Sequence, residues 1–292
     1  MIKILVTGAN GQLGSELKEL AQQSNEYQWT WVDLPELDLT DRSAVNNYFQ
    51  QHSFDYIINC AAYTAVDKAE SEKDLARKVN VEAVQNLCEV SKIQNACILH
   101  ISTDFVFTGD LARPLTEEDN PVPLSVYGQT KLEGEEALEK SGASYFIFRT
   151  SWLYSSHGAN FAKTMLRLGT ERDELGVVAD QIGTPTYAGD LANTLLVTIQ
   201  NHQSGAVSAN TLYHYSNEGV ASWYDFAHAI FEIAGIEVRL KPIATSQYPT
   251  PAKRPAFSVL DKIRIKEDLK LGIPHWRESL KHCLSLLVSP SK

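Results

Sequence analysis

The chain has 292 residues, of which 43% are hydrophobic and 21% are charged, enough for one large domain with a smaller appendage. Its formal net charge of -10 leaves no basic stripe for a phosphate backbone, so we expect no nucleic-acid partner. No apolar run reaches the ~18 residues of a membrane span, and the N-terminal MIKILVTGANG lacks a signal-peptide pattern. We therefore expect no membrane association. The cysteines (Cys60, Cys88, Cys97 and Cys283) have no metal-ligand spacing, which favours a cytoplasmic protein with free thiols.

The first half of the chain alternates short apolar runs with helical patterns. Strands are predicted at 2–8, 29–34, 55–62, 97–104 and 144–152. Helices are predicted at GQLGSELKELAQQ, at 41–52 with Asp41 as the cap, at roughly 67–93, and around Tyr127. This alternation predicts an α/β fold with a Rossmann-like doubly wound parallel sheet.

The second half is less regular. A helix (NFAKTMLRL), a strand (ELGVVADQ), a helix (YAGDLANTLLVTIQ), a strand (LYHYS) and a helix (SWYDFAHAIFEIAG) precede a basic, proline-rich stretch and a terminal helix. We interpret this as a smaller, discontinuous α/β domain. The predicted division is 1–150 plus about 187–215 for the first domain, and about 151–186 and 216–292 for the second.

A glycine-rich turn joins the first strand to the first helix. The pattern is Gly8-x-x-Gly11-x-x-Gly14, placed between strand and helix as a dinucleotide fingerprint requires. Glycines there let backbone N–H groups approach a pyrophosphate at the positive end of a helix. A purely structural turn is the alternative. The predicted cofactor contacts in this segment are Gly8, Asn10, Gly11, Gln12, Leu13 and Gly14.

Asp33 lies nineteen residues beyond Gly14, at the end of the second predicted strand. An acidic residue there can accept hydrogen bonds from the adenosine ribose and repel a 2′-phosphate, although it could also only begin a turn. No Arg or Lys lies between Ser24 and Asp41 to bind a 2′-phosphate. The sequence therefore predicts that NADH is used, with NADPH possible.

Tyr127 is the one tyrosine of twelve that has a lysine, Lys131, four residues later. On a helix the two side chains share a face, so the pair is either an incidental surface contact or a proton donor with a lowered pKa. Thr103 ends the predicted strand at 97–104, and the carboxyl ends of such strands bind ligands. With the glycine turn, these residues favour a catalytic group.

Together, the glycine turn, Thr103, Tyr127 and Lys131 resemble the extended short-chain dehydrogenase/reductases over essentially the whole chain. The resemblance implies that Tyr127 donates its phenolic proton to a carbonyl oxygen while hydride arrives from nicotinamide. It implies that Lys131 lowers the phenol pKa and binds the nicotinamide ribose. Thr103 would hold the carbonyl oxygen and stabilise developing charge.

Several stretches narrow the resemblance. CAAYTAVDKAE, STDFVF, RTSWLYSSHGANFAKTMLRL, DQIGTPTYAGDLA and KRPAFSVLD look like the dTDP-4-dehydrorhamnose reductase family. This implies NAD(P)H-dependent reduction of the 4-keto group of dTDP-4-dehydro-L-rhamnose. It also implies that the first domain binds NAD(P) and the second binds the nucleotide sugar.

The same resemblance assigns further residues by position. Implied cofactor contacts are Asp38, Leu39, Ala61, Ala62 and Tyr63. Implied substrate contacts are Thr64, Asp104, Phe105, Trp152, Asn160, Lys163 and Arg254. Trp152 would offer a flat apolar face to the sugar, or would be a core aromatic. Arg254 would supply a cation for the diphosphate, or would form a surface ion pair.

Two departures bear on the reaction and on metal binding. Related dehydratases carry Thr-Asp-Glu where this chain has Phe105 as the third residue, and a phenyl ring cannot act as a base for elimination. Some family members dimerise around magnesium. Glu16 matches one acidic ligand, but Asp190 stands where a longer Glu is expected, and the chain ends in SPSK without an acidic ligand. We therefore expect no metal.

Other functions stay open at this point. The same fold and residues could perform 4-epimerisation with a retained NAD, or reduce another nucleotide-linked 4-keto sugar. A regulatory subunit of methionine adenosyltransferase also resembles these reductases, so a binding role without catalysis is a third interpretation. The sequence does not fix the product stereochemistry, the base of the nucleotide, or the choice between monomer and homodimer.

Overall fold

In the computed structural model, which describes residues 1–23 and 25–287, a parallel sheet carries helices on both faces. The strands are β1 Ile2–Thr7, β2 Tyr27–Val32, β3 Tyr56–Asn59, β4 Cys97–Thr103, β5 Ser144–Thr150, β6 Leu153–Tyr154, β7 Glu174–Val178, β8 Ile182–Gly183, β9 Thr186–Tyr187, β10 Thr211–Tyr215, β11 Ala221–Ser222 and β12 Arg239–Ile243. The helices are α1 Gln12–Ala21, α2 Arg42–Gln51, α3 Val66–Ala69, α4 Lys73–Arg77, α5 Ala83–Gln94, α6 Val126–Ser141, α7 Phe161–Glu171, α8 Ala188–Gln203, α9 Trp223–Ala234, α10 Ile263–Leu269 and α11 Trp276–Leu287.

The main sheet has the order β10-β5-β4-β3-β1-β2, with every neighbouring pair parallel. Three two-stranded pairs, β11-β8, β12-β7 and β6-β9, lie outside it. The predicted Rossmann-like fold is therefore confirmed. Because parallel strands end at the same edge, the segments that follow β1, β3, β4 and β5 meet at one side of the sheet.

The two faces of the main sheet have separate cores, as alternation along β1 requires. Ile4 and Val6 face a cluster that includes α1 and α8, whereas Leu5 faces one that includes α2 and α5. A third core, around Tyr154 and Phe226, lies among β6, α7, α9 and α11. Ile265 of α10 packs into the first of these cores. The assignment of residues from about 216 to 292, which include α10, to the second domain stays a prediction.

One local expectation is confirmed and two differ from the observed elements. Asp41 does cap α2, accepting from Ser43 N at 2.9 Å and Ala44 N at 3.0 Å. The predicted helix at 67–93, however, is divided into α3, α4, a π-helical turn at Lys78–Glu82, and α5. Strand β12 overlaps the start of the proline-rich stretch, for which no strand was predicted; β12 tolerates Pro242 because it pairs on one side only, with β7.

Candidate active site

A cavity of about 720 Å³ lies at the carboxyl ends of the strands of the main sheet. It is lined by residues that follow β1, β2, β3, β4 and β5, together with two side chains of α6. Most of the predicted site residues border it: Gly8, Gly11, Gln12, Leu13, Asp33, Asp38, Leu39, Ala61, Ala62, Thr64, Thr103, Asp104, Phe105, Tyr127, Lys131, Trp152 and Asn160. Of the predicted residues, Asn10, Gly14, Tyr63, Lys163 and Arg254 do not border it.

The glycine turn at one end of the cavity depends on two close backbone approaches. Gly8 has φ +62°, and a Cβ there would lie 2.6 Å from Ala61 N at the exit of β3. A Cβ on Gly14 would lie 2.6 Å from Gly8 O, so this glycine lets α1 pack against the turn. No side chain caps the start of α1 at Gly11. The first amides of that helix are therefore available to an anionic ligand.

Two acidic residues that follow β2, Asp33 and Asp38, border the cavity and accept hydrogen bonds. Asp33 accepts from Asn10 N and from Leu34 N, each at 2.8 Å. A carboxylate has about four lone-pair sites, so a further contact to a ribose stays a prediction. Asp38 accepts from the hydroxyl and the amide of Thr40, and these hydrogen bonds lower the pKa of its carboxyl.

The segment after β3 is clamped by a side chain that the sequence analysis missed. Asn80, in the π-helical turn, accepts from Tyr63 N at 2.9 Å and donates to Tyr63 O at 3.2 Å. It also donates to Thr130 on α6 at 3.1 Å. The Tyr63 hydroxyl donates to Glu72, and Tyr63 does not border the cavity. Its neighbours Ala61, Ala62 and Thr64 do. π-helical turns often occur at functional sites, but no periodicity in the sequence marks this one.

The predicted catalytic residues meet where β4 and α6 adjoin. Ser125 caps α6 by accepting from Gly128 N, which sets Tyr127 in the first turn and Lys131 one turn later. Lys131 is 2% exposed, and its Nζ donates to Ile101 O at 2.7 Å. Burial lowers the pKa of Lys131 to about 8, against an opposing effect of Glu135.

The pKa of the Tyr127 phenol is raised, whereas the family resemblance implied that Lys131 lowers it. Burial raises the pKa of Tyr127 to about 12, and the contact with the Thr103 hydroxyl only partly offsets this. Desolvation of the phenolate is the largest effect on this pKa, and a lowering of it by Lys131 stays a prediction. The phenol ring packs edge-on against Phe105, with centroids 5.5 Å apart.

Asp104 places a carboxyl group beside these residues. Its Oδ1 accepts from the Thr103 hydroxyl at 3.1 Å, while the buried Oδ2 has no hydrogen-bond partner among the described residues. Burial raises the pKa of Asp104 to about 6. The unpartnered oxygen of a residue that borders the cavity is suited to accept a hydrogen bond from a ligand.

Trp152 borders the other end of the cavity. It has φ +47°, and its indole stacks on Trp223 with ring centroids 3.6 Å apart and an interplanar angle of 9°. Gly183 lies against the indole, where a Cβ would be 2.7 Å from a ring atom. Trp223, which the sequence analysis also missed, therefore fixes the orientation of the Trp152 ring.

Three of the predicted substrate contacts, Asn160, Lys163 and Arg254, have protein partners of their own. Asn160 caps α7 and donates to Gln12, and Lys163 donates to Ser156 O at 3.1 Å. Arg254 forms a bidentate ion pair with Asp67, at 2.8 and 3.1 Å. A contact of Lys163 or Arg254 with a diphosphate stays a prediction.

Comparison with known proteins agrees with this geometry. Residues 2–289 match the family model described as RmlD substrate binding domain. The dTDP-4-dehydrorhamnose reductase of Aggregatibacter actinomycetemcomitans is 43% identical over 97% of this chain and 98% of its own length. The chain belongs to the dTDP-4-dehydrorhamnose reductase family.

Two solved structures of this family have the same fold. The dTDP-4-dehydrorhamnose reductase from Clostridium acetobutylicum has a TM-score of 0.92 and 44% identity, covering 98% of this chain and 99% of its own. The one from Bacillus anthracis, solved in complex with NADP, has a TM-score of 0.90 and 40% identity, covering 97% and 99%. The predicted family is therefore confirmed. No helix in the described part of the chain has the length and apolar character needed to cross a membrane.

The acidic residues considered for a metal are already hydrogen-bonded. Glu16 accepts from Ser155 Oγ at 2.6 Å and Tyr187 Oη at 3.0 Å. Asp190 accepts from Asn217 Nδ2 at 2.6 Å and Ser279 Oγ at 2.5 Å. The terminal SPSK lies outside the described residues. The absence of a metal stays a prediction.

Proposed function

We propose that this protein reduces the 4-keto group of dTDP-4-dehydro-L-rhamnose with NAD(P)H, giving dTDP-L-rhamnose. The observation that carries the proposal is the convergence of Thr103, Tyr127 and Lys131 on the cavity that the glycine turn closes. The names of the relatives, including one solved with NADP, support the substrate and the cofactor.

The residues present fit a dinucleotide. Gly8 and Gly14 leave no room for a Cβ, and the uncapped start of α1 offers backbone N–H groups to a pyrophosphate. Asp33, Asp38 and Leu39 border the cavity and would contact the adenosine, and Ala61 and Ala62 border it where the chain leaves β3. When bound in its reduced form, the nicotinamide supplies the hydride. With Asp33 present and no Arg or Lys between Ser24 and Asp41, we propose that NADH is used and that NADPH is accepted. A preference for NADPH above about a hundredfold in kcat/KM would contradict the role of Asp33.

Tyr127 is the proposed proton donor. Because burial keeps its pKa above the ordinary value, the phenol holds its proton at neutral pH until a carbonyl oxygen beside it gains negative charge. Thr103 borders the same part of the cavity and would orient that oxygen. Lys131, one helical turn from Tyr127, would stabilise the phenolate that forms.

The sugar side of the site fits a hydroxylated ring. The unpartnered Oδ2 of Asp104 would accept from a sugar hydroxyl, and the Trp152 indole would cover an apolar face of the ring. Phe105 takes the position where a dehydratase needs a carboxylate, so reduction is proposed and elimination is not.

The test is the oxidation of NADH and of NADPH, followed by nicotinamide absorbance, with dTDP-4-dehydro-L-rhamnose as substrate. We expect Tyr127→Phe to lower kcat by about 10²–10⁴-fold, while Tyr248→Phe, at a position that is 58% exposed, leaves it unchanged. NAD bound in stoichiometric amount with no need for added cofactor would favour an epimerase. No oxidation of either cofactor, with capture of a synthetase subunit, would favour the regulatory role.

We further propose that the enzyme acts in the cytoplasm as a monomer or homodimer on a small nucleotide sugar. All four cysteines are free, as a reducing compartment requires, and three of them are buried. Light scattering coupled to size exclusion would determine the oligomeric state. The division into an NAD(P)-binding and a substrate-binding domain, with the boundaries given above, belongs to the same proposal.

A further inference from the structure

His100 lies in β4 directly against Lys131. Its Nε2 is 3.3 Å from Lys131 Nζ, and its Nδ1 is 3.1 Å from Asn59 Nδ2. His100 is 0% exposed, and Asn59 and Lys131, which border the cavity, are each 2% exposed, so these contacts are largely shielded from bulk water. The protonation of the three groups is therefore determined by their mutual hydrogen bonds.

The orientation of the Asn59 amide is fixed by its other partners. Its Oδ1 accepts from Ala61 N at 3.2 Å and from the Thr7 hydroxyl at 2.7 Å. A backbone N–H can only donate, so the oxygen faces Ala61 and the NH₂ group faces His100. Nδ1 of His100 consequently accepts, and the one ring proton of the neutral imidazole is on Nε2. Burial, the largest cause, holds the pKa of His100 well below its ordinary value, which keeps the ring neutral.

The Nε2–H group faces Lys131 Nζ, and only the neutral amine has a lone pair to accept it. Lys131 meanwhile donates to Ile101 O at 2.7 Å, which both of its protonation states can do. We propose that His100 is a positioning residue whose Nε2–H···Nζ hydrogen bond favours the amine form of Lys131 in the cofactor-free enzyme. The inference deepens the proposed function, since it concerns the role of Lys131 in that site.

The charged groups around Lys131 do not reverse this preference. Glu135, one turn later on α6, favours the ammonium form, but Arg149 of β5 binds its carboxylate in bidentate fashion, with contacts at 2.7 and 3.0 Å. Tyr127 on α6 and Asp104 after β4 border the same cavity as Lys131, as do Asp33, Asp38 and Cys60. The positive charge that Lys131 carries attracts the Tyr127 oxygen most strongly once the phenol has given its proton to the substrate carbonyl oxygen.

The tautomer of His100 can be read directly in the native protein. Long-range ¹H–¹⁵N spectra of the ¹⁵N-labelled, cofactor-free enzyme distinguish the two neutral tautomers and the imidazolium. The His100 signals are those that disappear in His100→Gln. We expect the Nε2–H tautomer; the Nδ1–H tautomer or an imidazolium would overturn the proposal. This readout needs no substrate, so it stands apart from any failure of the proposed reaction.

Asn59→Asp tests the consequence for Lys131. The new carboxylate still accepts from Ala61 N and from the Thr7 hydroxyl, and its second oxygen accepts from His100 only if Nδ1 carries the ring proton. The substitution therefore favours the Nδ1–H tautomer of His100. In that tautomer Nε2 has a free lone pair, which accepts a hydrogen bond from the Lys131 ammonium. We expect the apparent pKa of the Lys131-dependent limb of the kcat/KM profile to rise by about 1.

The added charge of Asn59→Asp is controlled by the same substitution in a His100→Phe background, which has no tautomer to change. A shift that is lost there supports the role of His100. A shift of equal size in both backgrounds would show that the carboxylate charge acts alone and would overturn the proposal.

Discussion

Asn160 Nδ2 donates to Gln12 Oε1 at 2.9 Å and so joins the start of α7 to the glycine turn. The same amide donates to Ser155 O at 2.7 Å, while Oδ1 caps α7 by accepting from Lys163 N at 3.0 Å. Asn160→Asp would keep the cap and lose both donors, leaving acceptors facing a carboxylate. We expect a loss of about 1–3 kcal/mol in the free energy of unfolding and weaker NADH binding. Denaturant titration and fluorescence titration measure the two effects, and an unchanged NADH affinity would show that the link to Gln12 is without consequence for the turn.

Gly8→Ala should remove cofactor binding. The new Cβ would lie 2.6 Å from Ala61 N, in addition to the strain of φ +62°. The matched control is Gly205→Ala, where φ is +75° but nothing lies within 4 Å. We expect the control to lose about 1 kcal/mol of stability and to bind NADH normally. Equal effects of the two substitutions on NADH affinity would mean that backbone strain alone, and not the close approach, matters at Gly8.

Asp104→Asn should stabilise the protein at high pH. Because the pKa of Asp104 rises from 3.8 to about 6 on folding, the native carboxyl holds its proton more tightly than the unfolded one. The free energy of unfolding therefore falls as the pH rises through this window, by at most about 3 kcal/mol. The variant avoids this cost above about pH 6, and its advantage disappears below about pH 4. Thermal unfolding at the two extremes measures the difference, and an advantage that did not vary with pH would contradict the assignment.

Ionisation of Asp104 lowers the stability of the protein but should favour substrate binding. If the ionised carboxylate accepts from a sugar hydroxyl, kcat/KM of the native enzyme falls below about pH 6 through a rise in KM. Asp104→Asn should raise KM for the nucleotide sugar above about pH 6, where the native carboxyl is ionised, and should remove this acidic limb. An acidic limb that persists unchanged in the variant would have to belong to another group.

Trp223→Leu should impair sugar binding, although Trp223 acts only through its stack on Trp152. Its ring lies 3.6 Å from that of Trp152, and the stack holds the positive-φ residue in place. We expect KM for the nucleotide sugar to rise by about 2–10-fold while NADH affinity is unchanged. Trp29→Leu is the control, since Trp29 stacks on Trp31 in the edge strand β2 and does not border the cavity. An equal rise in KM for the control would point to general loosening of the fold.

Chelation should leave turnover unchanged. Both carboxylate oxygens of Glu16 are engaged, by Ser155 and Tyr187, and Asp190 accepts from Asn217 and Ser279. Steady-state assays before and after dialysis against EDTA provide the test. A large loss of activity that magnesium restores would refute the expectation.

The sequence predicted what local patterns determine. The apolar runs of β1 and β4, the glycine turn and the spacing of Tyr127 and Lys131 are signals within a few residues, and the fold and family follow from them. What the sequence did not predict depends on distant partners: the His100 ring that contacts Lys131 lies 31 residues away, and Arg254 meets Asp67 across 187 residues. No spacing rule encodes such pairs. The raised pKa of Tyr127 belongs to the same class, since burial is a property of the assembled site.

The position of β10 has a consequence for how the chain is made. This strand forms the edge beside β5, although residues 151–210 separate the two along the chain. The ribosome therefore releases β5 well before β10. During that interval the N–H and C=O groups on the outer edge of β5 have no strand to pair with. Nascent chains that stop before residue 215 present an open strand edge to one another and to chaperones. The sheet that supports the catalytic residues is thus completed late in synthesis, by a segment that contributes nothing to the cavity itself.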